Sequence, residues 1–217
     1  MTTGRRAASE FLGTALLLAV IVGSGIMGER LAGGNIAIAL LANSLATGAG
    51  LVALILAFGP VSGAHFHPIV SVIEASYGRL SHTVVLVYLG AQFAGAIAGV
   101  MAAHAMFDLP LLSASQHARA GVPQLWSEVV ATFGLITVIL HCAKSRPSAV
   151  PYAVGAYITA AYWFTASTSF ANPAVTIARS LTDTFAGIRP EDAPGFVGAQ
   201  IVGGTIAALC YRWMARD

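Results

Sequence analysis

Charge is what this sequence has least of. Asp, Glu, Lys and Arg make up 9% of its 217 residues, against roughly a quarter in soluble domains. A water-facing globule of this size is excluded. The formal net charge is +2 and no basic tract is present, which excludes a nucleic-acid partner. There are two cysteines, Cys142 and Cys210. Both fall near helix ends assigned to the reducing side, so no disulfide framework is expected. They read as small apolar filler, with thiol capture of a soft metalloid as the sharper alternative. Catalytic patterns are missing too: no Ser/His/Asp or metal-ligand spacing recurs. His104, His117 and Asp108 are scattered toward a surface loop, and His82 and His141 sit at helix ends. No enzyme, metal site or cofactor is implied.

Apolar residues fill the space that charge leaves, at 57% with a mean hydropathy of +0.77. A helix needs about 20 apolar residues to cross a hydrocarbon core of about 30 Å. Such runs lie at roughly 8–28, 35–58, 83–106, 124–142, 149–167 and 195–214. Six spans put both termini on one side. Arg5, Arg6, Arg79, Lys144, Arg146, Arg212 and Arg216 fall on that side, against Arg30, Arg119, Arg179 and Arg189 opposite. The positive-inside bias makes the terminal side cytoplasmic, and a cell inner membrane is the expected location. The run 11–22 after Arg5 and Arg6 resembles a signal peptide, but Glu10 ties it to a repeat. Trp126, Trp163 and Trp213 near span ends suit interfacial belts.

The repeat relates the two halves, about 8–106 and 124–215, within a single domain over 1–217. Ser9-Glu10-Phe11 matches Ser127-Glu128-Val129, and Gly90-Ala91-Gln92 matches Gly198-Ala199-Gln200. Between them, His67-Pro68-Ile69-Val70-Ser71-Val72 matches Asn172-Pro173-Ala174-Val175-Thr176-Ile177. Three spans per half is an odd number, so the halves enter the membrane in opposite directions.

In each half an apolar segment of about 10 residues, 67–76 or 172–182, sits between two spans. At about 1.5 Å per residue it reaches half-way across. Pro68 and Pro173 are natural first helical residues, which makes His67 and Asn172 their caps, facing each other across a pseudo-twofold axis. Non-helical backbone at membrane depth must line a cavity or be buried in protein. The small polar stretches 62–66 and 167–171 are suited to presenting carbonyls to a pore. Two helix N-termini at its centre would repel cations and leave passage to neutral hydrogen-bonding solutes.

These features together resemble the aquaporins, the major intrinsic protein family. The resemblance rests on Ser62-Gly63-Ala64-His65 before an X-Pro pair, on Asn172-Pro173-Ala174, on paired Glu10 and Glu128 and on Gly-Ala-Gln twice. It implies an all-α membrane fold of six transmembrane helices plus two half-spanning re-entrant helices in an inverted repeat. It also implies a pore in each protomer of a homotetramer, and neither cofactor nor catalysis. Glu10 and Glu128 would hold the pore loops, and His65 would line the pore beside the first half-helix. The outer filter would fall at Thr47, Ser169, Val175, and either Ala160 or Tyr162, the helical register from Gly155 favouring Tyr162.

Two departures bear on selectivity. Val175 stands where the family pattern has an arginine, removing a charge, several donors and bulk. A wider filter follows, fit for glycerol-like polyols or neutral metalloid hydroxides such as arsenite, for methylated arsenicals and for water. An arsenic-associated bacterial branch of aquaglyceroporins is similar in this respect. Arg179, one turn further, could replace the charge; the favoured expectation is that it snorkels to headgroups or pairs with Asp183. His67 replaces the other midplane asparagine. It either donates to passing solute, so that acid would block conduction, or merely caps its half-helix. The rivals are a water-selective or pH-gated pore, a secondary active transporter using Glu10 and Glu128, with Glu74 packed near the loop, and a closed junction-forming pore.

Overall fold

The computed structural model describes residues 1–215, all of them helical or irregular. Arg216, counted above on the terminal side, lies outside the described residues. Eight α-helices follow in order. α1 (Thr3–Leu31) is capped by Thr2, whose hydroxyl accepts from the Arg5 amide, and α2 (Ile36–Ser62) by Asn35, which accepts from Ala37 and Ile38. Short α3 (Pro68–Ser76) precedes α4 (His82–Met106). The second half repeats that order: α5 (Val122–Ser145), α6 (Val150–Phe164), short α7 (Pro173–Arg179) and α8 (Ala193–Met214).

Among the described residues α1, α2, α4, α5 and α8 are each long and apolar enough to cross a membrane. The run expected at 149–167 is shorter as a helix. A 3₁₀ turn, Pro147–Ala149, precedes the 15 residues of α6, which rise about 22 Å. Thr165 is extended, and its hydroxyl donates to the Ala161 carbonyl, closing the helix. Thr165-Ala166-Ser167 turns the chain into a loop without a Pro or Gly to signal it. α7 likewise stops at Arg179 after seven residues, because Ser180 bonds back to the Ile177 carbonyl.

α1 packs on α2 and α4, α5 on α6 and α8, and α2 on α6 joins the halves. The α1–α4 crossing is close enough that a Cβ on Gly95 would run into the Phe11 carbonyl oxygen, and Gly203 meets the Val129 carbonyl in the same way between α5 and α8. Large apolar side chains such as Leu16, Leu45, Leu86 and Ile201 lie exposed on the outer helix faces, as expected where lipid is the solvent. Trp126, Trp163 and Trp213 are exposed as well. Each half-helix packs on both α4 and α8, and their N-termini meet at the centre of the bundle.

Candidate functional site

The loops before the half-helices are built alike. Left-handed backbone occurs at Gly63, Ala64 and Phe66 in the first, and at Thr168, Ser169 and Ala171 in the second. For a non-glycine residue that conformation costs on the order of 1 kcal/mol, so something must hold it. Glu10 does so for the first loop. One carboxylate oxygen accepts from the Ser62 hydroxyl at 2.6 Å and the His65 amide at 2.9 Å, the other from the Phe66 amide at 2.7 Å and Gln92 at 2.9 Å. Glu128 accepts from the amides of Phe170 and Ala171 at 2.9 and 2.8 Å and from Gln200 at 2.6 Å. Gln92 and Gln200 each donate a second bond, to Ser71 on α3 and Thr176 on α7. Both carboxylates are wholly buried and have their charge met by fixed donors.

His67 and Asn172 cap α3 and α7. Asn172 Oδ1 accepts from the Ala174 and Val175 amides, and its Nδ2 donates to the Phe66 carbonyl at 2.8 Å. His67 Nδ1 accepts from the Ile69 amide at 3.2 Å, while Nε2 lies 2.6 Å from the Ala171 carbonyl. A carbonyl only accepts, so the proton is on Nε2. Both ring nitrogens are therefore engaged, and the expected solute-facing donation from His67 is not available. Capping and cross-loop bonding describe it instead. Pro68, Ile69, Pro173 and Ala174 are buried behind these caps.

A cavity of about 570 Å³ runs from Glu74 and Pro147 at one mouth, past His65, His67 and Asn172, to Arg179. Glu74 pairs with Arg79 at 3.0 Å on the way in. His65 bonds Ser71 through Nδ1 at 3.0 Å and lies edge-on to Tyr88. Beyond the caps the wall comprises Thr47, Tyr162, Ser169 and Val175. Of the two register alternatives, Tyr162 lines the cavity, its hydroxyl 3.3 Å from Thr47 Oγ1, whereas Ala160 is on the exposed side of α6. The Ser169 hydroxyl is buried with no partner among the described residues.

Arg179 departs from the favoured expectation. It is 2% exposed, its guanidinium carbon sits 3.4 Å from the centre of the Phe170 ring, and Nε donates to the Ala186 carbonyl. It neither snorkels nor pairs with Asp183, whose carboxylate instead accepts from the Gln116 amide. The aromatic face and the carbonyl draw the side chain into the cavity wall.

Sequence reasoning also missed the supports. Arg119, read only as a loop cation, donates to the Gly187 and Ser167 carbonyls and stacks on Phe170 at 5.0 Å. Burial pushes its guanidinium below the usual arginine range. His104, expected among the scattered loop histidines, is buried at the end of α4. It bonds the Pro110 carbonyl and the Thr182 hydroxyl, clamping the α4–α5 connection over α7. No local signal marks these residues, since each has a partner far along the chain, Gly187 at 68 positions from Arg119 and Thr182 at 78 from His104.

Known proteins are similar to this chain in sequence and in fold. The sequence model described as Major intrinsic protein matches residues 1–161. The Aquaglyceroporin AqpS of Rhizobium meliloti (strain 1021) is 55% identical over 210 residues, covering 97% of this chain and 90% of that one. Aquaporin Z of Bradyrhizobium diazoefficiens is 28% identical over 230 residues, covering 98% and 94%. Among solved structures, the aquaglyceroporin from Plasmodium falciparum shares the fold, with a TM-score of 0.75 at 21% identity over 97% of this chain and 96% of that one.

Proposed function

This chain belongs to the major intrinsic protein family, and we propose that it is a passive transmembrane channel for small neutral solutes. Water, glycerol-like polyols and neutral metalloid hydroxides such as arsenite, together with methylated arsenicals, are its substrates. The observation that carries this reading is Val175 on the wall of the cavity, where a short apolar side chain leaves room that a guanidinium would fill. Thr47 and Ser169 give that level hydroxyls, Tyr162 bounds it, and the carbonyl-rich loops supply acceptors on both sides of the caps.

Coupled transport is disfavoured, because the Glu10 and Glu128 carboxylates are occupied by loop amides and glutamine donors. A coupling ion would have to displace them. The chain is then one channel domain over 1–217 built from inverted repeats, placed in the cell inner membrane with both termini cytoplasmic, and assembled as a homotetramer around four separate pores.

Proteoliposome swelling in water, glycerol, urea and arsenite gradients tests the reading. Glycerol and arsenite should enter at rates well above protein-free vesicles, without dependence on proton or sodium gradients. A high water rate with no glycerol or arsenite flux would contradict it.

A further inference from the structure

Val175 takes a positive charge out of the filter, and two helix N-termini alone would be left to keep cations out. A second guanidinium lies on the same face of α7. Arg179 follows Val175 by four residues, one turn and about 6 Å further from the caps. Its side chain is buried, yet it borders the cavity. Phe170 and the Ala186 carbonyl hold the guanidinium plane and Nε. Its two terminal nitrogens have no partner among the described residues. No carboxylate neutralises it: Asp183 is turned to the Gln116 amide and Glu128 to its own loop. The second polar group at this end is the Ser169 hydroxyl, buried and equally unpartnered.

We propose that Arg179 is the selectivity cation of this channel, displaced one helical turn outward from the position of Val175. The proposal rests on the channel reading above and adds the residue that sets its ion exclusion and its solute class. A guanidinium edge offers two parallel donors, which match two oxygens of one solute, and Ser169 offers a third contact deeper in. A small neutral molecule with two or three hydroxyl oxygens is the ligand this donor set takes. Because the charge comes from Arg179 and not from position 175, Val175 leaves its own wall of the cavity short where solute bulk matters, while the guanidinium borders the same cavity and turns ions back.

The test measures sodium flux, water flux and glycerol flux in proteoliposomes of the full chain. Arg179→Gln removes the charge while keeping a side chain of similar reach, and Arg179→Leu removes both. Either should raise sodium leak about tenfold or more over wild type, with water still passing faster than through protein-free vesicles as the sign of an assembled pore. The transposed pair, Val175→Arg with Arg179→Val, should stay tight to sodium but lose most glycerol flux. If one charge-neutral variant conducts water yet holds sodium as tightly as wild type, Arg179 is not the barrier. Failure of either variant to assemble passes the decision to the other, and to the transposed pair, whose leaking of sodium would equally overturn the proposal. Wild-type vesicles that exclude glycerol would sink the polyol reading independently of the sodium results.

Discussion

His67 and Asn172 serve the same two ends with different atoms: each caps its own half-helix and each donates to the carbonyl before the opposite cap. The arithmetic of hydrogens is not the same. An amide nitrogen carries two, so Asn172 keeps one after bonding Phe66; a neutral imidazole carries one, and His67 spends it on Ala171. Where the half-helices meet, a passing solute finds one side-chain donor instead of two.

Replacing His67 by asparagine should therefore add a donor and leave both structural bonds in place. One hydrogen bond is worth roughly 1 kcal/mol, so stopped-flow water permeability of His67→Asn should rise by up to about fivefold. Acid should change neither protein between about pH 5 and about pH 8, because a proton on Nδ1 of His67 would point at the Ile69 N–H that it now accepts. Conduction by wild type that falls in acid, while His67→Asn holds steady, would reinstate the titrating pore that the position of His67 first suggests.

The loop anchors are the natural place to look for loss of fold. Glu10→Gln or Glu128→Gln replaces one acceptor oxygen by an NH₂ that faces amide donors, leaving buried N–H groups unmet. Breaking a buried charged cluster from one side costs about 3 to 5 kcal/mol. Thermal unfolding in detergent should drop by many degrees for each variant. A melting point within a degree or two of wild type (roughly 0.5 kcal/mol or less) would mean that the left-handed loops hold themselves.

Much of this site is legible before any coordinates, because the relevant residues recur. Glu10 and Glu128, Gln92 and Gln200, and Ser71 and Thr176 occupy matching places in the two halves, and each pair turns out to make matching bonds. Tyr162 is recoverable from helical register, since Gly155 packs against Gly48 on α2, beside Thr47. Arg179 is not recoverable. A charge at the last residue of a short apolar helix reads as a headgroup contact, and Phe170 and Ala186, from two different loops, make its burial tolerable. The end of α6 is illegible for a simpler reason: Thr165-Ala166-Ser167 carries no Pro or Gly to mark where the helix stops.

The connection before α8 should respond to acid. Asp192 accepts from Arg189 through both oxygens and from the Arg119 amide, and the Arg189 guanidinium holds its carboxyl below the ordinary value of 3.8. A depressed carboxyl contributes stability that is complete above the ordinary value and is lost as pH falls through the folded one. Being near the surface, it contributes modestly. The wild-type melting point should thus be flat above about pH 5 and decline below it, and Asp192→Asn should lower the plateau and flatten the decline. A decline of equal size in Asp192→Asn would assign the acid sensitivity to another carboxylate.

The proposed filter is the stretch of cavity wall formed by Thr47, Tyr162, Ser169 and Val175, and single changes there should move solutes by size. Val175→Arg brings a long cationic side chain into the cavity one turn from Arg179. The two like charges will push apart, and the new one will cross toward Thr47 and Tyr162, where hydroxyls accept it. That closes the space a polyol needs and leaves a path for water, so glycerol and arsenite flux should fall by about tenfold or more while water flux changes by less than about threefold. Tyr162→Ala acts oppositely: it removes the ring that bounds the cavity and frees the Thr47 hydroxyl, so bulkier polyols that wild type rejects should enter. Should Val175→Arg leave the glycerol-to-water ratio untouched, the narrowest point lies elsewhere, and the hydroxyls at Thr47 and Ser169 lose their assigned part in choosing the solute.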